Sequence, residues 1–341
     1  MGNYENLKRI VQWTSFLLSL CLNSFLVFLI LTKSPKKLGN YRYLMIYFAC
    51  FAMFFAACDA MVGPYVHTHR ASLCVFSDKA YWLFGERMQY YSICLLCGCC
   101  GVTITFFAIH FIYRYFALER RGRLSYFQGW CFAVWLVLPV VFGYIWGCAV
   151  GYMMAPNPET TEYLRETVMS NYNLSMENIT YIAAVFWKIN EGGSEEPVAR
   201  SLIGLSILVS IMMSTFSVVC YYGYKSYLRI TSLIDEGESE YTRNLQKQLY
   251  KALVAQVSIP IVLMYLPVGN YLILPAFGFN IATFTKLVTV LYAVYPAVDP
   301  LPLFFIIVDY RNAIAEYFNS CQCNKNRVTA NEEDISRNIA T

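Results

Sequence analysis

Seven stretches of this chain run almost without Asp, Glu, Lys or Arg, and short basic segments separate them. The uncharged runs are Ile10 to Thr32, Tyr43 to Cys58, Met88 to Tyr113, Leu124 to Pro158, Ser201 to Tyr224, Ala252 to Thr285 and Leu287 to Val298. A spanning helix needs roughly 20 such residues. The second and seventh runs are shorter, but each continues past one acid, Asp59 or Asp299, into further apolar sequence. Apolar positions are continuous rather than alternating, which selects helices over a closed barrel, the two structures that satisfy every backbone polar group in hydrocarbon. The pattern predicts an all-α membrane protein, a seven-transmembrane helix bundle, with helices at about 10–32, 43–63, 88–113, 129–153, 201–224, 252–274 and 287–308. Tyr310, Ala313, Ile314, Tyr317 and Phe318 then share one helical face, predicting an amphipathic helix at 309–318 on the inner membrane surface. One domain, 1–320, and a polar tail, 321–341, account for the chain. Cys321 and Cys323 follow the amphipathic helix where palmitoylation would anchor it, or stand as two free thiols.

Composition agrees with a membrane solvent. Hydrophobic residues are 57% of the 341 and charged residues 14%, more apolar surface than a soluble domain hides. The net charge of +4 carries no indication of nucleic acid, because what matters here is how Lys and Arg divide between the two sides. The segments after the first, third, fifth and seventh helices hold four, four, five and four of the 26 basic residues, leaving nine elsewhere. That excess places those segments and the C-terminus in the cytoplasm and the N-terminus outside, although Lys8 and Arg9 oppose it locally. The first run exceeds a signal-peptide core and is expected to remain as an anchor. Two acceptor sequons, at Asn173 and Asn178, fall in the long segment 157–200, which this topology also puts outside. That segment either lids a pocket or serves as a glycosylated spacer. Most of the 13 cysteines lie in or beside apolar runs as small packing residues. Cys74 with Cys94 or Cys148 is the one outer pairing worth considering.

Residues for catalysis are missing from the pattern. His67, His69 and His110 are the only histidines; the first two could share a metal but have no carboxylates beside them, so neither metal nor cofactor is expected. Asp299 is the costliest residue, at roughly 2.5 to 3.5 kcal/mol for a carboxylate within a spanning helix. Pro296, Pro300 and Pro302 surround it, making a hinge or a static kink. Near the inner end of the third helix, His110 precedes Tyr113-Arg114-Tyr115 by one turn; Arg114 there suits a carboxylate, a partner's backbone, or the lipid phosphates. Arg243, Lys247 and Lys251 form a basic stripe entering the sixth helix, below two bends expected at Pro260 and Pro267. Together these describe a partner surface that can open and close. The outer halves of the helices carry Tyr90, Tyr91, Cys94, Tyr265, Asn270, Tyr271 and Tyr292, candidates to line an apolar cavity for a small neutral ligand, or to pack against helices and lipid.

Several blocks carry a resemblance: 38–45 (LGNYRYLM), 110–116 (HFIYRYF), 245–253 (LQKQLYKAL), 264–267 (MYLP) and 295–300 (YPAVDP). In order and spacing they are similar to the nematode seven-transmembrane chemoreceptors of the Str type. The resemblance implies a G-protein-coupled receptor in the ciliary membrane of chemosensory neurons, surrounded by lipid, detecting small and often volatile compounds and activating a heterotrimeric G protein, alone or as a dimer. By a looser likeness to rhodopsin-type receptors, Tyr113-Arg114-Tyr115 takes the place of their acid-Arg-Tyr element, Tyr265-Leu266-Pro267 of Trp-x-Pro, and Asp299-Pro300 of Asn/Asp-Pro-x-x-Tyr. This implies roles in activation for His110, Tyr113, Arg114, Arg243, Lys247, Lys251, Pro267, Asp299 and Pro300. The departures are Tyr113 in place of the acid, Leu303 in place of the final Tyr, no acid near Cys50, and no cysteine in 157–200. Two rivals are an odorant-gated cation channel of inverted topology, which the charge count opposes, and a small-solute transporter, for which no internal repeat is visible.

Overall fold

The computed structural model describes residues 2–34, 38–82, 85–119, 122–189, 194–232, 240–279 and 281–317. In chain order these form α1 (Gly2–Lys33), α2 (Tyr41–Val62), β1 (Tyr65–His69), β2 (Ser72–Asp78), α3 (Glu86–Glu119), α4 (Gly129–Met153), α5 (Pro158–Tyr172), β3 (Ile179–Val185), β4 (Trp187–Ile189), β5 (Glu195–Pro197) and α6 (Ala199–Ser232). There follow α7 (Glu240–Pro260), a π-helical turn (Ile261–Tyr265), α8 (Leu266–Ile273), α9 (Ala282–Val298), α10 (Leu301–Ile306) and α11 (308–317). Among the described residues, seven spans are long and apolar enough to cross a membrane: α1, α2, α3, α4, α6, the run from α7 through α8, and α9 with α10. The protein is a seven-transmembrane helix bundle.

Several helices outrun the uncharged segments that announce them. The first begins at Gly2, the third and fifth spans continue to Glu119 and Ser232, and the sixth begins at Glu240 rather than near 252. Charge marks where hydrocarbon ends, but Arg, Lys and Glu are good helix formers, so the helix itself continues into the interface.

The third span sits at the centre and is mostly buried. Its fit against α4 depends on glycine. A Cβ on Gly98 would stand 2.7 Å from the Gly143 carbonyl oxygen, and one on Gly147 would stand 3.1 Å from that of Cys94. Lipid tails are as apolar as leucine, so close backbone approach through small residues takes the place of a hydrophobic drive.

Prolines set the remaining geometry. Pro300 has no N–H, so the carbonyl of Pro296, four residues earlier, loses its helical donor. Two polar residues of α1 replace it: Ser19 Oγ and Asn23 Nδ2 each donate to Pro296 O at 3.1 Å. In the sixth span the Leu266 N–H reaches Ile261 O, five residues back, which makes the π turn between Pro260 and Pro267.

The described residues of the segment 157–200 form a folded lid, not a spacer. β3 joins β2, and β2 joins β1, in an antiparallel sheet whose register sets Val66 opposite Val75 and Val75 opposite Ile182. Alternation gives the sheet two apolar faces. Val66, Leu73, Val75, Ile182 and Ala184 face the bundle, while Tyr65, Cys74, Phe76, Tyr181 and Ala183 pack with Leu164 and Val168 of α5. Gln89, at the start of α3, pins the sheet down: its amide donates to Ser77 Oγ and Asp78 O, and its carbonyl accepts from Thr180. Cys74, Cys94 and Cys148 are all free thiols, so no disulfide joins the lid to the bundle at these positions. Replacing Gly98 by Ala is expected to force α3 and α4 apart and cost about 1 to 3 kcal/mol. Thermal unfolding of the receptor in lipid nanodiscs checks this, and an unchanged midpoint refutes the tight seam.

Candidate functional site

Beneath the lid lies a cavity of about 90 Å³, walled by five of the spans and roofed by β1, β2 and β3. Leu96, Cys97 and Cys100 contribute one side, Trp146 and Val150 of α4 another, and Tyr271, Leu272, Val288, Thr289 and Tyr292 the rest. Among the described residues, no Asp, Glu, Lys, Arg or His lines it. Burying a charge without a partner is costly, and this lining offers nothing to offset one.

Of the residues expected to line a ligand pocket, Tyr271 and Tyr292 border this cavity. Tyr292 donates to Leu96 O at 3.0 Å and thereby ties the seventh span to the third. Tyr90, Tyr91 and Cys94 instead border a separate groove of about 810 Å³ on the outside of the bundle, between α2, α3 and α4, where Tyr90 donates to Gly151 O at 2.5 Å. Tyr265 lies between the fifth and sixth spans, its hydroxyl 3.3 Å from Thr215 Oγ1. Asn270 is exposed and does not border the cavity. The reason is helical phase: residues one position apart project about 100° apart, so Tyr271 faces inward where Asn270 faces outward. The roof residues Val66, Leu73, Val75 and Ile182 were beyond reach of helical periodicity, although their alternation in 65–78 and 179–185 is a strand signal.

At the opposite, tail end of the bundle a cleft of about 300 Å³ opens beside Arg114. Arg114 is buried, and its Nη2 donates to Gln246 Oε1 at 2.5 Å. Its guanidinium also lies 5.4 Å from the Tyr41 ring centre. Tyr41 stacks on Tyr113 at 5.0 Å and takes the edge of His110 at 5.4 Å, with His110 Nδ1 3.2 Å from the Tyr41 hydroxyl. The acid that Tyr113 displaces is thus answered by an amide from the sixth span. Gln246 was not singled out from the sequence; it lies one residue before Lys247, between the members of the basic stripe. Of that stripe, Arg243 and Lys247 are half-buried and Lys251 is exposed on α7. A neighbouring amide, Gln248, accepts from the Val308 N–H at 3.1 Å and fastens the sixth span to the start of α11. Tyr310 of α11 is buried with its hydroxyl 2.6 Å from Ser34 Oγ, so this helix docks on the end of α1. Pro267, Asp299 and Pro300 are buried in the middle of the bundle, and one carboxylate oxygen of Asp299 has no hydrogen-bond partner. Asn173 and Asn178 are exposed on the lid. Cys321 and Cys323 lie outside the described residues.

A cavity closed by a lid at one end and an arginine-centred cleft at the other, within seven spans, define a serpentine receptor. The sequence profile described as serpentine type 7TM GPCR chemoreceptor Str matches residues 8–315, and the chain belongs to that family. Among its relatives is the serpentine receptor class r-10 of Caenorhabditis elegans, 32% identical over 325 residues, covering 95% of this chain and 93% of that protein. The G-protein coupled receptor str-33 of the same species is 28% identical over 319 residues, covering 93% and 92%.

Among the described residues no group of three or more His, Cys, Asp or Glu side chains is placed to hold an ion. His69 packs edge-on against Tyr163 and His67 against Tyr172, both on α5. Burial, with His69 and Lys286 adding repulsion, pushes the His67 imidazole down to about 4. The folded lid therefore holds His67 neutral, while the unfolded chain takes up a proton near the ordinary value of about 6.5. Stability is untouched above that value and falls as pH drops from there toward 4, by up to about 3 kcal/mol. Melting curves between pH 7.5 and 4.5 test this: His67→Gln is expected to lose less stability on acidification than the parent, and an equal loss in both acquits His67.

Proposed function

We propose that this protein is a chemosensory receptor that binds a small neutral organic compound, volatile in character, beneath its lid and activates a heterotrimeric G protein through the cleft beside Arg114. The lid then faces outside with the N-terminus, in the ciliary membrane of a sensory neuron, and the cleft and C-terminus face the cytoplasm. The basic segments at the tail end and the exposed Asn173 and Asn178 at the lid end support that orientation. Glycans on those two asparagines, and palmitate on Cys321 and Cys323, belong to the same reading.

The single observation that carries it is the bond from Arg114 to Gln246. It closes the third span on the sixth at the place where a G protein would insert, and the sixth span holds a π turn and Pro267 between this latch and the cavity wall at Tyr271. A ligand that binds the unlatched state more tightly shifts the population toward it. Breaking the latch frees Arg114 and the stripe of Arg243, Lys247 and Lys251 for the partner, while Asp299 and Pro300 supply the yielding point of the seventh span.

Nucleotide exchange by a co-expressed G protein provides the test. Gln246→Ala removes a hydrogen bond to a charged group and is expected to raise ligand-free exchange roughly tenfold. Arg114→Ala is expected to abolish exchange at unchanged surface expression. Normal exchange in Arg114→Ala, or an unaltered basal rate in Gln246→Ala, removes the latch from the mechanism.

A further inference from the structure

The outer groove between α2, α3 and α4 opens into a second hollow, of about 790 Å³, at the edge of the lid, and the two share Tyr90 and Tyr91. Their linings differ in kind. Lys79, Glu86, Arg87 and Glu177 border the hollow. Among the described residues the groove is lined by no Asp, Glu, Lys, Arg or His, and Gly98, Gly143, Gly147 and Gly151 form its floor. It runs from Tyr90 to Val102 on α3 and from Tyr152 to Val140 on α4. At 1.5 Å per residue that is about 18 Å, a little over half of the roughly 30 Å of hydrocarbon in a bilayer and so the depth of one leaflet. Tyr90, Tyr91 and Tyr152 stand at its lid end, and tyrosine collects where hydrocarbon meets water.

Charge in the hollow is uneven once its pairs are taken out. Lys79 pairs with Glu86 at 2.9 Å, and Arg165, from outside the hollow, pairs with Glu177 at 2.5 Å. Arg87 is exposed and makes neither a hydrogen bond nor an ion pair among the described residues. Along α3, Arg87, Tyr91, Leu95, Gly98 and Val102 follow at spacings of four, four, three and four. They form one helical face that passes from a cation through an aromatic ring to hydrocarbon.

We infer that this face is a phospholipid site, in which Arg87 takes the phosphate of a glycerophospholipid from the lid-side leaflet and the groove takes one of its acyl chains. A guanidinium matches the oxygens of a phosphate, and basic pockets beside spanning helices hold lipid head groups by such contacts. The hollow has room for glycerol and phosphate together, where the carboxylate of a fatty acid would leave most of it empty.

Native mass spectrometry of the full-length protein in detergent micelles tests the site. The probe is 1-palmitoyl-2-oleoyl phosphatidylglycerol, and the diacylglycerol with the same chains is its phosphate-free match. The phospholipid is expected to bind the parent more tightly than the diacylglycerol, and Arg87→Gln to lower its affinity about three- to tenfold while leaving the diacylglycerol unaffected. Arg70→Gln removes an equal charge in the turn between β1 and β2, away from both linings, and is expected to stay within about twofold of the parent. Val140→Trp fills the groove and is expected to abolish binding of both lipids. Glycerol 3-phosphate, a head without chains, is expected not to compete. Arg87 and Val140 are both exposed, so neither substitution disturbs a buried contact of the bundle. The site is overturned by equal affinity of the parent for the two lipids, by unchanged affinity in Arg87→Gln, or by an equal fall in Arg70→Gln, which marks general surface charge. Binding that survives Val140→Trp overturns it as well, as does competition by glycerol 3-phosphate, the mark of a site for free phosphate.

Discussion

In hydrocarbon a backbone carbonyl without a donor has no water to fall back on, and the carbonyl that Pro300 strands on Pro296 finds its donors on another helix. Ser19 and Asn23, one turn apart on α1, thereby become part of the seventh span's backbone bonding. The kink at Pro296 to Pro302 is fixed by this borrowed pair, and with it the direction in which α10 leaves and α11 returns to dock on α1 through Tyr310 and Ser34. The sixth span meets the same constraint differently, by a π turn that reassigns its own carbonyls between two prolines. One span is thus braced from outside and the other adjusted from within. The second kind of repair leaves fewer bonds to break when a helix moves.

The two ends of the molecule share walls. The third span lines the cavity with Cys97 and Cys100 and the cleft with Tyr113 and Arg114. Cys100 and Arg114 lie about 21 Å apart along one rigid helix, at 1.5 Å per residue. Its glycine seam with α4 makes those two spans a fixed frame. The sixth span touches both ends as well, at Tyr271 and Gln246, but it is interrupted between them. A rigid strut thus stands beside an interrupted one between the cavity and the cleft.

Much of this was legible in the sequence because a bilayer demands long uncharged runs, and seven of them are plain. The cost of a buried carboxylate likewise marked Asp299, and the guanidinium at the end of an apolar run marked Arg114. Partners were harder to read. Gln246 is an ordinary helix residue until the fold brings it 2.5 Å from Arg114, and nothing local distinguishes it from Gln248, which serves α11 instead. Helical phase, invisible to a list of aromatic residues, separated Tyr271 from Asn270 and sent Tyr90 and Tyr91 to an outer groove. Ser19 and Asn23 did carry a signal, two polar side chains four apart in an apolar run, which reads as glue between helices. The lid was underread because a polar surface and two sequons drew attention away from the alternating positions beneath them.

The register that sets Ser72 opposite Val185 has a consequence for how the molecule is made. A ribosome delivers β1 and β2 well before β3, with the whole of α3, α4 and α5 synthesised in between. The hairpin of β1 and β2 must wait with the edge that β3 will take unpaired, guarded by its shortness. Its partner arrives when four spans are already threaded, and Asn173 and Asn178 sit immediately before that closing strand. The roof of the chamber is therefore complete before the fifth, sixth and seventh spans, which supply the rest of its walls, have been made.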